Sequence, residues 1–323
     1  MDPHEGIAEH LGAWALEGVD GDEAAAVEAH LRTCATCADE ARRLREAAGW
    51  LGVERVRPAP AELRERVLAE ALRRRPPALL RTLAQAYAAQ VELLDEVLAS
   101  VGPDGWRHPD PRHGDVHGLL SHLAGNDAML ATDLGGQVVS PSEDDVRESW
   151  RGQAELLLDR LTVVGAEPVG ALDQPVRLAA RRGTPVRPLR DALVQRAFET
   201  WTHRDDLAAV VGRAQAAPPP AEVRRIVDLS VRVLPDALRT AGLVRPGGGV
   251  RLVLEGPGEG EWVVPLGHPE PVARVEATVR ADAVGYTRLV AGRRAVATLG
   301  AEVSGSAAVA GPFLEVASTL GCD

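Results

Sequence analysis

The chain has 323 residues, more than one ordinary hydrophobic core can organise and enough for two or three domains. Its formal net charge is −11, from 47 acidic against 36 basic side chains, all of the latter arginine; that balance argues against direct nucleic-acid binding and suits the basic face of a partner protein. Three cysteines exclude a disulfide scaffold and suit a reducing cytosol, and no run of about 18 apolar residues marks a membrane span; with no signal-peptide pattern in Met1-Asp2-Pro3-His4-Glu5, the expected location is the cytoplasm.

The first informative element is a helix expected over Glu23 to Arg32. His30 falls on its last turn, and Cys34-Ala35-Thr36-Cys37 follows directly, so the segment reads H-x3-C-x2-C. One imidazole and two thiols at this spacing can reach one ion. Zinc takes four nitrogen or sulfur donors in a tetrahedron, which leaves a fourth ligand to come from His4 or His10. A thioredoxin-like dithiol would sit in a βαβ setting, whereas both flanks here are helical.

With the upstream His4-Glu5-Gly6-Ile7 and Ala13-Trp14-Ala15-Leu16, and with Val27-Glu28-Ala29 before the motif, these residues resemble the zinc-binding anti-sigma factor domain. The resemblance implies a small helical zinc domain over residues 1–77, with a structural zinc held by His4, His30, Cys34 and Cys37 and with His10 on a helix surface. It also implies a partner, an extracytoplasmic-function-type sigma factor kept away from RNA polymerase. Ala61 to Arg75 reads as an amphipathic helix with Leu63, Val67, Leu68 and Leu72 at helical spacing, ended by Pro76-Pro77. It is either a solvated linker or a second contact arm for the sigma factor.

Four longer amphipathic helices follow, at Leu79–Val101, about Asp115–Leu134, Trp150–Val163 and Leu189–Val211. Their number and length predict a four-helix bundle over residues 78–215. A Pro- and His-rich loop, Pro103 to His113, joins the first two; His108, His113 and His117 could bind a ligand, but surface histidines are the plainer reading. Ala216-Ala217-Pro218-Pro219-Pro220 reads as a linker. Beyond it, a helix at Val223–Ala241, strands at Val250–Leu254, Glu261–Pro265 and Val272–Arg280, and a helix at Ala283–Ala291 predict an α+β domain over residues 221–323. The fold class is therefore multidomain and mainly α.

Within the bundle, Glu199 and His203 stand four residues apart and share one helical face. His122 lies among apolar residues in Leu119-Leu120-Ser121-His122-Leu123-Ala124-Gly125, where an imidazole needs a partner. Either fragment alone is ordinary. Together, His122-Leu123-Ala124-Gly125 and Glu199-Thr200-Trp201-Thr202-His203-Arg204-Asp205-Asp206-Leu207 resemble the mycothiol-dependent maleylpyruvate isomerase family. The resemblance implies a DinB-like bundle that holds zinc or another divalent metal through His122, Glu199 and His203, and a sterol-carrier-like C-terminal domain. It also implies an open metal position for a low-molecular-weight thiol, mycothiol, activated for cis–trans isomerisation or transfer. The chain departs from the family at Pro111-Arg112-His113-Gly114-Asp115-Val116-His117, where a Cys-Pro-Gly-Trp-Thr-Val-like entry is usual. No catalytic or thiol-binding residue is assigned.

Two functions are thus expected. The first is a zinc-containing anti-sigma-type regulator with the bundle as sensor or scaffold. The alternative is a thiol-dependent isomerase or transferase. The N-terminal module and the altered entry loop favour the regulator.

Overall fold

A computed structural model describes residues 3–52, 63, 78–137, 145–165, 170–179, 184–267 and 271–321. Apart from Leu63, the expected helix at Ala61–Arg75 lies outside the described residues. The protein is mainly helical, with its small sheets in the C-terminal part, and forms two compact units, Met1–Ala69 and Glu70–Asp323.

The first unit is a three-helix module of α1 (Pro3–Ala15), α2 (Gly21–Leu31) and α3 (Ala35–Gly52). Asp20 starts α2: its carboxylate accepts from the Glu23 amide at 2.9 Å while the Glu23 side chain returns to the Asp20 amide, a reciprocal cap that fixes the helix start. Leu11, Trp14, Val27, Cys37 and Ala41 make the core, and the Arg45 guanidinium lies 3.9 Å from the Trp14 ring centre. Ile7, Val19, Leu31 and Leu44 are among the partly buried residues that pack against this core, so among the described residues it is small for an independent fold.

The second unit begins with α4 (Ala78–Leu98), the short α5 (Pro103–Trp106), α6 (Val116–Asp133), α7 (Val146–Gly165) and α8 (Leu189–Val210). Helices α4, α6, α7 and α8 pack as a bundle around Tyr87, Leu94, Leu120, Leu123, Trp150 and Leu157. A ribbon of β1 (Pro175–Arg177) and β2 (Val186–Pro188) joins α7 to α8. Strands of three residues carry no readable period, so the sequence does not announce them.

The chain continues through α9 (Pro220–Thr240), β3 (Gly248–Glu255), β4 (Gly260–Pro265), β5 (Arg274–Asp282), α10 (Ala283–Val290), β6 (Glu302–Gly305) and α11 (Ala307–Ala317). The sheet runs β4-β3-β5-β6, with β3 antiparallel to β4 and parallel to β5. Val250, Leu252 and Leu254 of β3 enter the core, and α9, α10 and α11 pack on the sheet. Neither β6 nor α11 is evident from sequence: β6 is exposed throughout, and α11 carries Gly311 and Pro312.

Ala216 to Pro220, which reads as a linker, is fastened to α8. Trp201 Nε1 and the Arg204 guanidinium both donate to the Ala216 carbonyl, the former at 3.0 Å, and Pro218 is buried. Helix α8 itself is enclosed by the bundle and by the C-terminal elements, so it buries polar residues on nearly every face instead of one apolar stripe. Arg196, 3% exposed, lies between Asp127 on α6 and Glu199, with Arg196 Nε 2.8 Å from Asp127 Oδ1. Arg232, Arg288 and Arg293 from the C-terminal elements pair with Asp191, Asp205 and Asp206 on α8, at 2.6, 3.0 and 2.7 Å.

Arg196→Met leaves two buried carboxylates without their cation. It should destabilise the chain by about 3–5 kcal/mol, read as a lower urea midpoint.

Candidate metal centres

In the first unit the ligand geometry follows from three helix ends. His4 is on the first turn of α1, His30 on the last turn of α2, and Cys37 on the first turn of α3. The Thr33 and Cys34 amides both donate to the His30 carbonyl at 2.9 Å, folding the chain tightly enough to bring Cys34 beside its neighbours. One donor atom from each of His4, His30, Cys34 and Cys37 lies within 4.8 Å of the other three. His4 Nδ1 is 3.3 Å from Cys37 Sγ and 3.6 Å from Cys34 Sγ. His30 Nε2 is buried with no hydrogen-bond partner, as a nitrogen lone pair kept for an ion would be. Two thiols and two imidazoles in this arrangement fit zinc. His10 is exposed and outside the cluster.

In the second unit, His122 projects from α6, Glu199 and His203 from α8, and His113 from the loop before α6. One donor atom each from His113, His122 and His203 falls within 4.8 Å of the others. The ring centres are 4.6 Å apart for His113–His122, 5.1 Å for His113–His203 and 5.8 Å for His122–His203. Glu199 Oε1 stands 2.6 Å from His122 Nε2 and accepts from Asn126 at 2.8 Å, while its other oxygen meets Arg196. Burial alone would raise the Glu199 carboxyl; Arg196 and the His122 hydrogen bond overcome it and hold the group at about 2. Glu199 is therefore a carboxylate at neutral pH; it lies one hydrogen bond from His122, beside the three gathered imidazoles and not among them.

Each of two imidazoles leans on a carboxylate. His113 Nδ1 is 3.0 Å from Asp110 Oδ1, and His203 Nδ1 is 3.2 Å from Asp206 Oδ2. A carboxylate at one ring nitrogen is the usual arrangement behind a metal-binding histidine. His113, expected on the surface, has a side chain only 9% exposed. The signal lay in Asp110-Pro111-Arg112-His113-Gly114, an Asp-led turn ending in glycine. His108 and His117 lie outside the cluster.

Beside this cluster a cavity of about 630 Å³ opens between α8, the His113 loop and the α10 end, with Arg112, Arg288, Arg293, Asp205 and Trp201 in its wall. Among the described residues, no helix is long and apolar enough to cross a membrane.

Residues 5–38 match the protein-family model described as "Putative zinc-finger"; the segment includes His30, Cys34 and Cys37 and begins one residue after His4. No curated protein matches the sequence. The chain is similar to the crystal structure of the mycothiol-dependent maleylpyruvate isomerase, at 19% identity, with a TM-score of 0.40, over 70% of this chain and 92% of that one. It is similar to a histidine-to-alanine mutant of that enzyme at 17% identity and a TM-score of 0.41, over 69% and 92% of the two chains. The N-terminal unit thus carries a zinc-finger-type segment, and the three donors in it together with His4 fit zinc.

Two outcomes follow from these sites. Burial and the neighbouring Cys34 thiol push the Cys37 thiol up, so zinc must displace protons to bind there; apparent zinc affinity in a competition titration should rise between pH 6 and pH 8. Glu199 is depressed from 4.5 to about 2, so the stability it lends is present above the unfolded value and is lost as pH falls through that window. Urea midpoints should therefore drop on acidification across it, and Glu199→Gln should flatten that drop.

Proposed function

We propose that the protein is a zinc-dependent, anti-sigma-type transcriptional regulator acting in the cytoplasm, with the bundle as its metal-binding sensor or scaffold. The observation that carries this reading is the gathering of His4, His30, Cys34 and Cys37 at the meeting of three helix ends, within a unit too small to be stable on its core alone. A metal that holds three short helices in one arrangement presents a fixed surface, which suits recognition better than catalysis. The net charge of −11 suits a basic, DNA-binding partner such as a sigma factor.

On this reading the bundle holds zinc or another divalent ion through His122, Glu199 and His203. Glu199 and His203 come from one face of α8, His122 from the helix beside it, and Glu199 is a carboxylate held by Arg196.

A second reading, a mycothiol-dependent isomerase or thiol transferase, is favoured by the cavity beside the histidines. It is wide enough for a small molecule, and its wall carries Arg112, Arg288 and Arg293 together with Asp110, Asp205 and Asp206. A metal at the neighbouring histidines would hold a bound thiol as thiolate at neutral pH.

The test is capture of sigma factors by the full-length chain. The wild type should bind one and silence its promoter, with binding weakened by salt, and the Cys34→Ser/Cys37→Ser double variant should lose both effects. A wild-type chain that binds none of the cell's sigma factors, yet turns over a thiol adduct, would transfer the assignment to the second reading.

A further inference from the structure

The turn that carries His113 is built to aim that residue. Asp110 Oδ1 accepts from the Arg112 amide at 2.9 Å, the His113 amide at 2.6 Å and His113 Nδ1 at 3.0 Å. Asp110 and Gly114 exchange backbone hydrogen bonds of 2.9 Å across the turn, and Gly114 takes a φ of 87°, which side chains rarely adopt. The His113 carbonyl then rests against α6 where residue 118 is glycine; a Cβ there would lie 1.9 Å from that oxygen. A loop histidine with no task needs neither the carboxylate nor the bare patch of helix beneath it.

We propose that His113 is a further ligand of the bundle metal, so that His113, His122, Glu199 and His203 close its coordination sphere with four protein donors. The proposal rests on the reading that the bundle holds a metal. Asp110 accepts from His113 Nδ1 as Asp206 accepts from His203 Nδ1, an arrangement that leaves each Nε2 to serve as the donor to an ion. Three imidazoles within 5.8 Å and a carboxylate held by Arg196 match a divalent cation in charge and in donor type. Four protein ligands are the mark of a structural zinc, whereas a catalytic one keeps a position open. His113 therefore takes the position that a thiol would need, and the bundle metal holds the His113 loop to α6 and α8. Since His113 is the one donor on a loop, it is also the one that can leave without unfolding a helix.

Cobalt titration of the full-length chain tests this. The wild type should take up two equivalents, with a bundle ion whose visible bands have tetrahedral intensity and do not shift on adding azide. His113→Ala should retain two equivalents but weaken the bundle ion at least about tenfold in chelator competition, with fainter bands that azide shifts as an open position appears. Asp110→Asn, which keeps the ring and removes its orienting carboxylate, should fall between the two. A His113→Ala chain with wild-type affinity and an unshifted spectrum would overturn the proposal while leaving the bundle site standing. Only one equivalent on the wild type, carried by the thiolate site, would overturn the bundle reading and the role of His113 with it.

Discussion

Helix α8 is enclosed on all sides yet carries a charged or polar group on most of its turns, and each of those groups has to be answered by a neighbour. Arg196 answers Asp127 and Glu199 inside the bundle; Arg232, Arg288 and Arg293 answer Asp191, Asp205 and Asp206 from the C-terminal side. A helix with a single apolar stripe could sit in the bundle and leave the C-terminal elements free. This one ties them into one unit. The same ties hold the residues proposed as ligands: Asp206 is gripped by Arg293 and meets His203, while Arg196 keeps Glu199 ionised beside His122. Rigid support of this kind is what a metal site needs, because donors must arrive within a few tenths of an ångström of their places.

The N-terminal unit solves a different problem. Among the described residues its core is Leu11, Trp14, Val27, Cys37 and Ala41, with Ile7, Val19, Leu31 and Leu44 among the partly buried residues packed against it, a small core for an independent fold. One ion joined to His4, His30, Cys34 and Cys37 would pin the ends of all three helices together, in effect replacing a larger core. Metal binding and folding are then one event, and loss of zinc or oxidation of the thiols would undo the surface offered to a partner.

Much of this was legible in the sequence wherever the necessary residues lie close together in the chain. His30, Cys34 and Cys37 fall within eight positions, and Glu199 and His203 within one helical turn, so spacing alone brings each set together. The long helices of the bundle and the strands β3 and β4 declare themselves through their periodicity. His113 did not, because its placement depends on a turn made by Asp110 and Gly114 and on the missing side chain at Gly118, none of which has a period. The segment Ala216 to Pro220 has the composition of a linker; its attachment to Trp201 and Arg204 becomes visible only once α8 is in place. β6 and α11 stayed hidden for the opposite reason: one has no buried face and the other contains helix breakers.

Two ions of different character are proposed for one chain, a thiolate-bound one in the small unit and an imidazole- and carboxylate-bound one in the bundle. X-ray absorption at the zinc edge on the fully loaded full-length chain tests this directly. With two sulfurs and two nitrogens at one site and only nitrogen and oxygen at the other, the spectrum should average about one sulfur at ~2.3 Å and three lighter donors at ~2.0–2.2 Å per zinc. An average of two sulfurs per zinc, with one zinc per chain, would contradict it.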